Sequence, residues 1–156
     1  MRNSRSSVYN RLPQVLLVED NPTDVSLVQE AFGQVDRRHD LHIVADGAAA
    51  LDYLTRRGGF ERAPRPDLIV LDLGLPKCGG FEVLERVKGD PLMRSIPVVI
   101  LTQSKEQGDV WRSYHQHANA YMVKPERVAD FLVALRRLAQ FYLGDVLLPP
   151  HEPVTH

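Results

Sequence analysis

Apolar runs and helical periods alternate along the whole chain. Val15-Leu16-Leu17-Val18, Leu68-Ile69-Val70-Leu71 and Val98-Val99-Ile100-Leu101 are unbroken aliphatic runs bounded by loop residues, the pattern of strands buried on both faces of a parallel sheet. Leu41-His42-Ile43-Val44 is partly polar and reads as an edge or near-edge strand, and Ala120-Tyr121-Met122-Val123 is a last short strand stopped by Pro125. Between the strands, apolar residues recur at helical spacing: Val25, Val28, Phe32 and Val35; Ala50, Leu51 and Leu54 before Gly58-Gly59; Phe81, Leu84 and Val87; Val110, Trp111 and Tyr114; and Val128, Phe131, Leu132, Leu135, Leu138 and Tyr142. Asn21-Pro22 suits a helix start with proline in the first turn. Five strand-then-helix units predict an α/β fold, a doubly wound five-stranded parallel sheet, whose ligands bind beyond the carboxyl ends of its strands.

Those carboxyl ends carry the candidate chemistry. The first strand runs into Glu19-Asp20, the third into Asp72, the fourth into Thr102-Gln103-Ser104 and the fifth into Lys124-Pro125. Singly, each is a common loop cap or structural ion pair. In a doubly wound sheet the first, third, fourth and fifth strand ends sit side by side, so Glu19, Asp20, Asp72, Thr102 and Lys124 should converge. Two like charges at ~4 Å and an effective dielectric near 20 repel by roughly 4 kcal/mol, so three acids there demand a cation or a proton in compensation. Oxygen ligands favour Mg²⁺, which takes one or two carboxylates and completes its shell with water and phosphate oxygens. Lys124 then supplies a point charge and Thr102 a hydroxyl for a phosphoryl oxygen, and Asp72 is the nucleophile that becomes an acyl phosphate.

Composition narrows the partners. The 156 residues, 44% apolar and 25% charged, suit one globular domain. A net charge of -1 argues against nucleic acid or an anionic membrane surface, which call for a basic excess. No apolar run reaches membrane-spanning length, the amino terminus lacks a signal-like core, and the single cysteine, Cys78, cannot form an internal disulfide. A cytoplasmic protein is expected. Residues 1–13 read as a polar, mostly mobile lead-in, Arg56 to Arg65 as a solvated basic connection, and Cys78 as an inert loop thiol. His39, His42, His115, His117, His151 and His156 show no ligand spacing and read as incidental.

With Glu19-Asp20, Asp72, Pro76 and Gly80 in the following loop, Thr102, and Lys124-Pro125 in this order, residues 14–142 closely resemble the response-regulator receiver family. The resemblance implies the flavodoxin-like receiver fold with strand order 2-1-3-4-5. It also implies phosphorylation of Asp72 by a phosphohistidine on a sensor histidine kinase. Mg²⁺ would be held by Asp20, Asp72 and the backbone carbonyl of Gly74, with Glu19 at or just outside the metal shell. Thr102 and Tyr121 would form the switch. Leu16 to Asp24, the approach Ala63-Pro64-Arg65-Pro66-Asp67 and the tail after the last helix look like the single-domain regulators that partner phytochrome-type kinases, which makes a bacteriophytochrome the expected donor. Gln103 and Gly79 depart from the family's usual small and acidic or polar residues.

The expected function is that of a phosphoryl acceptor acting through protein contact, not an enzyme, although it would catalyse its own phosphorylation and dephosphorylation. The tail, 143–156, is apolar over Leu143 to Pro150 and is expected to dock on a second protomer as a dimerisation arm. A flavodoxin-like cofactor binder would need a phosphate-cradling loop where Glu19-Asp20 stands, and a haloacid-dehalogenase phosphatase would need an acid where Gly74 stands. A receiver-like scaffold that is never phosphorylated is the remaining alternative.

Overall fold

The aliphatic runs become the centre of a parallel sheet flanked by helices on both faces. The computed structural model describes residues 11–152. In chain order they form β1 (Gln14–Val18), α1 (Pro22–Gly33), β2 (Asp40–Val44), α2 (Gly47–Thr55), β3 (Leu68–Leu71), α3 (Gly80–Gly89), β4 (Val98–Thr102), α4 (Gln107–His115), β5 (Ala120–Val123) and α5 (Val128–Gln140). A π-helical turn, Phe141–Asp145, continues α5. All strand pairs are parallel and the order is β2-β1-β3-β4-β5, as expected.

Side chains alternate across the pleat and build two cores. Leu16, Val18, Ile69, Leu71, Val98 and Ile100 pack with Ala50 and Tyr53 of α2 and Val83, Leu84 and Val87 of α3. Val15, Leu17, Leu68, Val70, Val99 and Leu101 face the other way, onto Val28, Ala31 and Phe32 of α1 and Phe131, Leu135 and Leu138 of α5. Helix starts use local chemistry. The Asn21 side chain accepts from the Thr23 and Asp24 N–H groups at 2.9 and 3.1 Å, with Pro22 beside it. Asp46 accepts from the Ala49 N–H at 2.7 Å. At α3 the constraint is steric: a Cβ on Gly80 would lie 2.3 Å from the Asp72 carbonyl oxygen. Glycine there lets the helix start press against the backbone of Asp72.

Three sequence expectations change. Helix α2 ends before Gly58-Gly59, because Arg56 itself takes the left-handed cap at φ 56° and its N–H bonds back to the Tyr53 carbonyl at 3.2 Å. On α4 the apolar period does not mark the inner face. Trp111 is 65% exposed and stacks on His115 with ring centroids 4.4 Å apart, whereas Ser113 is buried and its hydroxyl donates to the Asp109 carbonyl at 2.8 Å. A small residue bonded to its own helix lets α4 sit close to the sheet.

The third change concerns the chain ends. Leu143 is fully buried in the α1 and α5 core, so the packed body runs past residue 142. Beyond it the chain returns to the amino-terminal edge of the sheet, where His151 Nε2 lies 2.8 Å from Asp67 Oδ1. The other Asp67 oxygen accepts from Arg11 and from the Gln14 N–H, both at 2.7 Å. One buried carboxylate thus ties together Arg11 of the lead-in, the start of β1 and the returning tail. His42 also finds a partner, Gln14 Oε1 at 2.6 Å. These two histidines are structural contacts rather than incidental residues. Residues 1–10 of the lead-in and 153–156 of the tail lie outside the described residues.

Removing the Leu143 side chain should therefore behave as a core deletion. Leu143→Ala is expected to lose about 2–5 kcal/mol in urea unfolding. A loss below about 0.5 kcal/mol would show that residues after 142 are detachable.

Candidate phosphoryl-acceptor site

The register brings the chemistry-bearing strand ends to one edge. Val18 pairs with Leu71, Leu71 with Ile100, and Thr102 with Val123, so Glu19, Asp72, Thr102 and Lys124 emerge side by side. Glu19, Asp20 and Asp72 each place one carboxylate oxygen within 4.8 Å of the others. Glu19 is buried, Asp72 half-buried and Asp20 exposed, which grades the group from the sheet outward to solvent.

Lys124 is the counter-charge. It is 7% exposed, and its Nζ donates to Asp24 at 2.8 Å, to Asp72 at 3.2 Å and, in a closer contact, to Glu19. The Lys124 N–H is itself anchored to the Thr102 carbonyl at 2.7 Å, so strand pairing sets the lysine stem. Asp24 was not legible as a site residue. Its signal was present, since an acid in the first turn of the helix that follows Glu19-Asp20 faces back over the same edge, but it read equally well as complementing the helix dipole.

Protonation in this cluster is shared unequally. Burial raises the Glu19 carboxyl to about 8, helped by the hydrogen bond it makes with Asp72 and opposed by Lys124. Burial also works to raise Asp72, but the hydrogen bond from Glu19, the Lys124 charge and the Gly74 N–H, 3.2 Å from Asp72 Oδ1, together hold it below the ordinary carboxylate range. Burial disfavours the Lys124 ammonium, yet Asp24, Glu19 and Asp72 keep it above the ordinary lysine range. Of Glu19 and Asp72, Asp72 is thus the carboxylate held in its ionised form.

The neighbouring loop carries the switch candidates. Thr102 is buried, and its hydroxyl oxygen accepts from the Ser104 N–H at 3.4 Å. Tyr121 is half-buried, with its hydroxyl donating to the Ser104 carbonyl at 2.9 Å and its N–H to the Tyr114 hydroxyl at 3.1 Å. Ser104 donates to Asp109 at 2.5 Å, which closes the loop onto α4. Gln103 is exposed and lines, with Asp24, Leu27, Lys105 and Phe131, an open groove of about 470 Å³ beside Lys124. Cys78 donates to Glu82 at 3.0 Å, and burial together with that acid raises its thiol to about 11, consistent with an unreactive thiol.

A parallel sheet in this order, with three acids, a buried lysine and a buried threonine hydroxyl at one edge, defines a receiver domain. The pattern of the response regulator receiver domain matches residues 15–136, and the chain belongs to that family. Response regulator Rcp1 of Synechocystis sp. (strain ATCC 27184 / PCC 6803 / Kazusa) is 43% identical over 135 residues, 86% of this chain and 92% of its own. The crystal structure of its Mn²⁺-bound form superposes with a TM-score of 0.86 at 42% identity, covering 88% of this chain and 99% of that one. The phosphorylated cyanobacterial phytochrome response regulator RcpA also gives 0.86 at 39% identity, covering 89% and 99%. The bacteriophytochrome response regulator RtBRR gives 0.71 at 41% identity, covering 92% and 85%. The chain is therefore a response-regulator receiver domain homologous to phytochrome response regulators. Phosphorylation on aspartate is typical of this family, and its members are generally not classical enzymes.

Receiver domains bind a divalent metal, and the oxygen donors of Glu19, Asp20 and Asp72 suit a hard cation. Glu19 sets the pH dependence. Its folded-state value, about 8 against an ordinary 4.5, means that the proton it holds contributes stability below about pH 4.5 that is lost as the pH rises through 8. A cation competes with that proton, so binding should release it. Divalent-ion affinity is expected to rise as the pH increases from 6 to about 8 and then level off, with proton release measurable by calorimetry in buffers of different ionisation enthalpy. Affinity unchanged over that range would contradict the placement of the proton on Glu19.

Proposed function

We propose that this chain is a two-component response regulator whose Asp72 accepts a phosphoryl group from the phosphohistidine of a phytochrome-class sensor histidine kinase, with Mg²⁺ as the working cation. The observation that carries the reading is the ionised Asp72 carboxylate held beside Lys124 at an acidic strand-end site. An Asp72 oxygen attacks phosphorus in line, the phosphorus–nitrogen bond of phosphohistidine breaks, and the imidazole leaves with the electron pair. Lys124 moves from balancing Asp72 to pairing with a phosphoryl oxygen, and Thr102 donates its hydroxyl to another. Asp20, Asp72 and the Gly74 carbonyl, with Glu19 beside them, would hold Mg²⁺, which would supply charge neutralisation. Thr102 and Tyr121 report the phosphoryl group to the surface, and the same residues carry self-catalysed phosphorylation and dephosphorylation. The setting is the cytoplasm; among the described residues no helix is long and apolar enough to cross a membrane.

A homodimer through α5 and the tail completes the proposal. Support comes from exposed apolar side chains on these segments: Val128 is 55% exposed, Phe141 50% and Leu147 71%. In sedimentation at micromolar concentration the full chain is expected to run as a dimer, and the Phe141→Glu, Leu147→Glu double variant as a monomer. A wild-type monomer, or a variant that keeps the dimer mass, would overturn the dimer.

Phosphoryl acceptance is tested by intact-protein mass after incubation with Mg²⁺ and a panel of acyl phosphate and phosphohistidine donors. The wild type should gain one phosphoryl mass, labile to hydroxylamine, and Asp72→Asn should gain none. No adduct with any donor would leave the chain as a receiver-like scaffold.

A further inference from the structure

At the opposite end of the sheet from Asp72 lies a second concavity. The carboxyl end of α2, the approach to β3 and the segment between α3 and β4 enclose about 300 Å³, the lower end of the range of small-molecule sites, about 300–1,000 Å³. Its wall is mostly apolar, drawn from Leu54, Pro64, Pro66, Met93 and Ile96, and Leu92, 81% exposed, stands at the rim.

Its polar groups are unbalanced in sign. Arg56 and Arg65 both line it, against one acid, Asp90. Asp90 is already engaged, accepting from the Leu92 N–H at 2.7 Å. Arg65 is half-buried and donates to neutral acceptors, the Leu92 carbonyl at 3.0 Å and the Ser95 hydroxyl at 3.1 Å. The nearby carboxylate of Asp67 is occupied by Arg11 and His151. Neither Arg56 nor Arg65 forms an ion pair with a carboxylate among the described residues. Burial lowers the Arg65 value, opposed by the charge of Asp67 and helped by that of Arg11. Arg56 reaches its position through the left-handed cap of α2, a conformation that a non-glycine residue holds only at a cost.

From two arginines that line an apolar cavity and form no ion pair among the described residues, we infer that this concavity binds a small amphipathic carboxylate, its apolar body against Leu54, Met93 and Ile96 and its carboxylate on Arg56 and Arg65. Guanidinium is the group suited to a carboxylate, and an apolar wall raises the strength of that contact by excluding water. The cavity volume fits one small molecule rather than a folded segment. Because the wall includes the end of α2 and the segment that leads into β4, an occupant would brace the floor of the sheet on the α2 and α3 side.

The test is an amide-resolved NMR titration of the full chain with 3-phenylpropionate and, as a neutral control, 3-phenylpropionamide. Saturable shifts centred on residues 92–96 are expected for the acid with a Kd on the order of 1 mM, the strength open to a ligand of that size. The amide should bind at least about tenfold more weakly. Arg56→Gln, whose side chain is exposed, should weaken the acid by about tenfold while leaving the spectrum elsewhere unchanged. Leu54→Trp, which fills the cavity, should abolish the shifts. Shifts that do not saturate, an amide that binds as well as the acid, or shifts centred on Asp72 and Lys124 would each overturn the inference. So would full binding retained in Arg56→Gln.

Discussion

A single ammonium group holds the functional edge together. Lys124 reaches Glu19 after β1, Asp24 in the first turn of α1 and Asp72 after β3, while its own backbone is pinned to Thr102 of β4. A buried cluster with more acids than bases is tolerated only if every charge is hydrogen-bonded or carries a proton. Here both devices are used, since Lys124 bonds three carboxylates and Glu19 holds a proton up to about pH 8. On the proposed function, a bound divalent cation would displace the Glu19 proton and a phosphoryl group would give Lys124 a new partner, so each event would change what the lysine balances.

The sheet exists to hold that geometry still. Fully buried aliphatic residues of β1, β3 and β4 pack against helices on both faces, which fixes where their carboxyl ends emerge. Gly80 brings α3 against the backbone of Asp72 with no room for a side chain. At the other end of the sheet, Asp67 does the equivalent work for the chain ends by joining Arg11, Gln14 and His151. Rigid strands with chemistry confined to their ends leave the following loops free to respond, and the Ser104 carbonyl that receives the Tyr121 hydroxyl lies in such a loop.

Much of this was legible in the sequence because buried parallel strands are continuous aliphatic runs, and such runs declare where they end. Val15 to Val18 followed by Glu19-Asp20, and Leu68 to Leu71 followed by Asp72, point in one pattern to both the sheet and the edge where the acids converge. What escaped depended on angles around a helix or on long-range return of the chain. Asp24 belongs to the site only because the first turn of α1 leans over Lys124. Trp111 and Tyr114 share a helical period with Val110, yet α4 turns the small Ser113 inward. Leu143 looks like the start of a loose apolar tail until the π-helical turn tucks it into the core, and His151 has no sequence neighbour that announces Asp67.

The most direct test of the central role of Lys124 is urea unfolding of the wild type and Lys124→Met in the presence of a chelator. With no divalent ion to share the charge, the variant leaves Glu19, Asp24 and Asp72 facing one another and should lose about 3–5 kcal/mol at pH 8, the scale for removing one partner of a buried ion pair. Adding a divalent cation should return a substantial part of that loss. A variant as stable as the wild type in chelator would contradict the account, because the acids at this edge would then need no ammonium to coexist.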